Sequence, residues 1–146
     1  MTVQDAHPAL SFAEKEIRRY LLAAGLSVTD LPEIQTETGL DHAGDAYTIE
    51  ATSARITVAG SNPRSVLIGA YAYLKEIGFA FYAPGEDFTR IPRITDPACL
   101  TLRKKESRCR HNFRGVCIEG AVSADHAAAY IDWLPKAGMN ICFLQS

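Results

Sequence analysis

The sequence predicts an α/β fold of α+β type: a two-layer sandwich with a mixed sheet and two helices on one face, followed by one βαβ unit. Three observations carry this. Tyr47, Ile49 and Ala51 alternate with Thr48 and Glu50, and Ile56 and Val58 alternate with Arg55 and Thr57. Period-two patterning of this kind marks a half-buried hairpin. Asn62 to Gly78 reads as one capped, strongly apolar helix. Residues 112–146 then run strand, helix, strand. The domain organisation that follows is a sandwich over 1–103, a linker over 104–111 and the βαβ unit over 112–146.

Taken in order, residues 1–10 read as a loose arm. Ser11 opens the first helix with Glu14 three residues later, the spacing of a capping box. Ala13, Ile17, Leu21 and Ala24 make its inner face, and Gly25 ends it. Glu14, Lys15, Glu16, Arg18 and Arg19 are expected on the solvated side. Leu31–Thr38 is a strand and Asp41–Asp45 a turn before the hairpin. The hairpin connection at Thr52-Ser53 lacks Asn-Gly chemistry, so it does not fix the register by itself.

The helix from Asn62 is the central packing element. Asn62 is an N-cap and Pro63 needs no N–H at the first helical position. Val66, Ala70, Tyr73 and Ile77 form its stripe, widened by Leu67, Tyr71 and Leu74. Gly69 and Ala70 leave a shallow patch for close approach, and Gly78 suits a left-handed C-cap. Phe79, Phe81 and Tyr82 then enter the core. Glu86–Pro97 is a surface loop, 98–103 a strand and Lys104–Arg110 a linker.

Phe113–Ile118 is the next strand. Ser123 caps a helix with Ala127, Tyr130, Ile131 and Leu134 inward, ending or kinking at Pro135. Met139–Leu144 is almost wholly apolar, as a doubly covered parallel strand would be. A lone βαβ unit is hard to stabilise, so the sequence has the look of a piece cut from something longer.

The chain has 146 residues, 47% of them hydrophobic, which suits one folded body with a real core. No apolar run approaches the ~20 residues of a membrane span, so no membrane partner is expected. The N-terminus has no basic start and no apolar h-region. It reads as cytoplasmic as written, or as secreted or periplasmic after removal of a signal peptide.

Net charge is −2, but Arg103, Lys104, Lys105, Arg108, Arg110 and Arg114 fall within twelve residues. A solvated strand and linker, an acidic-ligand site and a nucleic-acid site all remain open for this run. Sparse aromatic residues and the balanced overall charge speak against nucleic acid. Four cysteines, Cys99, Cys109, Cys117 and Cys142, include no CxxC pair. Cys117 and Cys142 sit in apolar runs, where a thiol packs as a small hydrophobe. Reduced thiols are the simplest reading, beside disulfides or zinc held by Cys109 and His111. No cofactor is expected, since no Gly-rich phosphate loop or paired metal spacing occurs. His111 and His126 read as incidental.

Several stretches resemble a known architecture. Tyr47-Thr48-Ile49, Ile56-Thr57-Val58, Gly69-Ala70-Tyr71-Ala72-Tyr73-Leu74, Gly78-Phe79 and Tyr82-Ala83-Pro84 are similar to the small domain preceding the catalytic barrel in family 20 β-hexosaminidases and α-glucuronidases. Phe113-Arg114-Gly115-Val116-Cys117-Ile118-Glu119 resembles the segment that opens their (β/α)₈ barrel. Ile131 to Asn140 resembles the first barrel helix and its exit. The likeness covers most of residues 40–146.

The resemblance implies the non-catalytic N-terminal portion of a carbohydrate-active glycoside hydrolase, partnered by carbohydrate and by the remainder of the barrel. It places Arg114 on sugar hydroxyls, a role that suits the fixed donors of a guanidinium. Glu119 is the second expected substrate-binding residue, at the C-terminal end of the first barrel strand, where barrel sites are built. The hexosaminidases carry Asp followed by a different run there. No catalytic residue is expected in this chain, because the acid pair of such enzymes lies on later strands. The basic run favours an acidic sugar. The alternative is a stand-alone α/β ligand- or protein-binding module, dimerising through its βαβ unit.

Overall fold

The computed structural model describes residues 7–120 and 123–145. Residues 1–6 of the expected arm lie outside them. Helix α1 spans Pro8–Ala23, and strands β1 (Glu33–Thr38), β2 (Ala46–Ala51) and β3 (Arg55–Gly60) precede α2 (Pro63–Glu76). Short strands β4 (Ala80–Phe81) and β5 (Thr89–Arg90) pair with each other, and β6 (Leu102–Arg108) returns to the main sheet. Then come β7 (Gly115–Ile118), α3 (Ala124–Lys136) and β8 (Ile141–Leu144).

The main sheet has the order β1-β3-β2-β6. β1 runs parallel to β3 and the other pairs are antiparallel, so the sheet is mixed as expected. Ile49 lies opposite Val58 and Ala51 opposite Ile56, and all four are buried beneath the helices. Thr48, Glu50 and Thr57 occupy the other face. α1 and α2 pack against each other and on this one sheet face, giving two layers.

α2 forms as its sequence dictates. The Asn62 side chain accepts from the Ser65 N–H at 2.9 Å, and Pro63 follows it. A Cβ on Gly69 would stand 2.9 Å from Val58 Cγ1 and 3.1 Å from Tyr47 Cβ, so the missing side chain lets the helix sit close on the sheet. Tyr20, Phe79, Phe81 and Tyr71 join edge to face, with centroids 5.4–5.6 Å apart, and close the core under α1.

Several local expectations are corrected. α1 begins at Pro8, capped by the His7 side chain, and Ser11 lies within the first turn, donating to the Pro8 carbonyl. Glu14 is not spent on a cap: it accepts from Thr36 Oγ1 at 2.7 Å. Glu16 is buried, not solvated. Tyr82 is exposed, because only Phe81 of the β4 ribbon points inward. Residues 97–100 form a 3₁₀ turn, and the strand expected over 98–103 lies instead over Leu102–Arg108. Most of the basic run read as linker is therefore an edge strand, where charge discourages pairing with other chains.

In the βαβ unit, β7 and β8 are parallel, with Gly115 opposite Ile141 and Cys117 opposite Phe143. A Cβ on Gly115 would overlap the carbonyl oxygen of Ile141, so this close approach needs glycine. α3 is capped by Ser123 and continues one residue past Pro135. Ile131 is exposed, because α3 meets the sandwich through Trp133, Leu134 and Lys136 instead. Cys117 is also exposed and Cys142 only half-buried. The second layer that β8 was expected to have is not found among the described residues. All four cysteines are free thiols.

Candidate functional site

The polar centre of the molecule is Asp45, the last residue of the turn before β2. Its side chain is 1% exposed. Oδ1 accepts from Asn62 Nδ2 at 3.0 Å, Arg64 Nε at 2.8 Å and Ser65 Oγ at 3.0 Å, all from the start of α2. Oδ2 accepts from Arg114 Nη2 at 2.8 Å and Asn140 Nδ2 at 2.7 Å, both from the βαβ unit. One carboxylate thus joins the two parts of the fold. Burial alone would raise its pKa. The bonds from Asn62, Arg114, Arg64 and Asn140 outweigh that and hold the carboxyl well below the usual range.

Arg114 is fixed on three sides. Besides Asp45, Nε donates to the Gly138 carbonyl at 2.9 Å and Nη1 donates to the His111 carbonyl at 2.6 Å. A guanidinium carries five N–H groups, so two remain unspent. Asn140 completes the joint. Its Oδ1 accepts from the Arg114 backbone N–H at 3.0 Å, and its Nδ2 also donates to the Asn112 carbonyl. The Arg-Gly start of β7 and the Gly-Met-Asn exit of α3 therefore meet in one knot.

Glu119 lies apart from this knot. It is exposed just past the C-terminal end of β7, whereas Arg114 precedes the N-terminal end. The two expected substrate-binding residues stand at opposite ends of one strand and are not brought together. His111 contributes its carbonyl to Arg114, and the His126 N–H is capped by Ser123 Oγ. Among the described residues, no group of three or more His, Cys, Asp or Glu side chains is placed to hold a metal.

A second polar cluster lies between the helices. Glu16 accepts from Arg19 Nε at 2.8 Å and from the Tyr71 hydroxyl at 2.7 Å. Burial raises the Glu16 pKa, but the bonds from Arg19 and Tyr71 bring it below the ordinary value. Burial pushes the Lys136 ammonium down, and its bond to Asp132 at 2.6 Å more than restores it. Trp133 Nε1 donates to the Phe81 carbonyl at 3.0 Å, and Lys75 Nζ to the Lys136 carbonyl at 2.9 Å. These contacts seat α3 on the sandwich.

Sequence reasoning missed Asp45 because its five donors lie 17 to 95 positions away. Glu16 had a local signal. It falls between Ala13 and Tyr20 on the apolar arc of α1, one position before Ile17, where an acid must find partners.

No protein-family model, curated protein or solved structure matches the chain.

Proposed function

We propose that this chain is the non-catalytic N-terminal portion of a carbohydrate-active glycoside hydrolase. The sandwich seats the first strand–helix–strand of a (β/α)₈ barrel, and the rest of the barrel supplies the catalytic acids.

One observation carries this reading. α3 packs beside the parallel pair β7–β8, leaving Leu144 at its end 50% exposed, and the pair is tied to the sandwich through Asp45. On β8, Ile141 is 44% and Phe143 60% exposed. A parallel pair with a connecting helix and bare apolar side chains on β8 fits what one strand–helix–strand of a barrel would present to its neighbours. Arg103, Lys104 and Arg110 are exposed and form no ion pair among the described residues. They favour a uronic-acid or sulfated glycan.

The same bare face supports the alternative, a stand-alone module that dimerises by apposing Ile141 and Phe143. An antibody raised against this chain separates the two on protein from its source. The proposal expects an antigen far larger than this chain, whose immunoprecipitate hydrolyses aryl glycosides, acidic ones faster than neutral ones. An antigen of this chain's own size, dimeric and without glycosidase activity, would overturn the proposal.

A further inference from the structure

We propose that Tyr20, Tyr71 and Phe81 form an ammonium-binding box whose built-in ligand is Lys136. The βαβ unit is then latched to the sandwich by recognition of an alkylammonium group, which a free alkylamine of the same class can replace in trans.

The receptor and its ligand come from different parts of the molecule. Tyr20 belongs to α1, Tyr71 to α2 and Phe81 to β4, all in the sandwich. Lys136 and its acceptor Asp132 belong to α3. Lys136 Nζ lies 5.8 Å from the Tyr20 ring centroid and 5.6 Å from those of Tyr71 and Phe81. These distances fall within the reach of cation–π attraction, and three faces act at once. The lysine is 4% exposed, so the ammonium has little water to fall back on.

The box is built and rigid. Its rings hold each other edge to face at 5.4 Å and 5.6 Å. Glu16 fixes the Tyr71 hydroxyl, and the Arg19 guanidinium stacks on the Tyr20 ring with its central carbon 4.2 Å from the centroid. The Tyr20 hydroxyl is buried with no hydrogen-bond partner. Ring faces and the nearby Glu16 carboxylate all favour a compact cation over a neutral group of equal size. The flat guanidinium of arginine, which recognises its partners through a planar fork, matches this three-walled box less well.

The test is Lys136→Ala titrated with butylammonium chloride, with 1-butanol and sodium chloride as neutral and ionic controls. Trp133, the only tryptophan, sits at this joint and reports by fluorescence. We expect a saturable response to butylammonium, at least about tenfold weaker with butanol. Wild type, whose box is full, should not respond, and adding Phe81→Ala should abolish the response. Equal responses to butanol and butylammonium, or no saturation, would overturn the proposal. Wild-type protein gives a second reading if the variant does not fold. The Lys136 ε-methylene protons should resonate upfield of those of the other lysines, and an unshifted signal would equally overturn it.

Discussion

Asp45 and Arg114 lie 69 positions apart and meet at 2.8 Å, with the carboxylate buried and the guanidinium 20% exposed. Around this pair, the start of α2 supplies three donors to one carboxylate oxygen, and the βαβ unit supplies two to the other. Its energetics decide whether the sandwich and the βαβ unit behave as one body.

The two arginines on Asp45 should behave differently. Arg64 is 55% exposed and can lose its partner to water. Arg64→Gln leaves Asp45 four other donors and should cost about 1–2 kcal/mol. Arg114→Gln also strips donors from the Gly138 and His111 carbonyls and should cost about 3–5 kcal/mol. Urea unfolding of both variants checks the ranking.

The depressed carboxyl of Asp45 sets the sign of the acid response. Its folded pKa lies below its unfolded value of about 3.9. The stability it contributes is therefore complete above that unfolded value and lost as pH falls toward the folded one. Glu16 acts in the same direction. Acid should destabilise wild type below about pH 4, and Asp45→Asn should show a shallower loss over the same range. Thermal unfolding against pH measures both slopes.

Gly115→Ala should open the β7–β8 pair. The added Cβ meets the Ile141 backbone, with its carbonyl carbon at 2.8 Å, and a carbonyl cannot swing aside as a flexible side chain can. A loss of about 1–3 kcal/mol is expected from such overpacking. The Ile141 N–H, which donates to the Arg114 carbonyl at 3.1 Å, should exchange faster with solvent.

Tyr71→Phe keeps the ring and removes the hydroxyl that donates to buried Glu16. Leaving one acceptor of that carboxylate short should cost about 1–3 kcal/mol. Chemical denaturation should show the loss without a change in overall fold by circular dichroism.

The sequence made the local architecture legible. Asn62-Pro63 and Gly78 mark the ends of α2, and the alternation over Tyr47–Val58 marks the hairpin and its buried face. Ser123 marks the start of α3. Features set by distant partners were not legible. Lys104–Arg108 carries no strand-like alternation, and its place is set by pairing with β2. Ile131 and Glu16 were misplaced because the face a helix buries depends on what it meets. The Arg114-Gly115 and Asn140 stretches stood out in the sequence. Asp45, which gives them their common partner, carried no mark of its own.

A double-mutant cycle on unfolding free energy, using Asp45→Asn, Arg114→Gln and the pair, tests the joint most directly. If the carboxylate binds the βαβ unit to the sandwich, the two changes should couple by about 2 kcal/mol or more, within the range for directly bonded residues. Coupling below about 0.5 kcal/mol would mean that the two sites act independently. That result would contradict the account of Asp45 as the residue that joins the two parts.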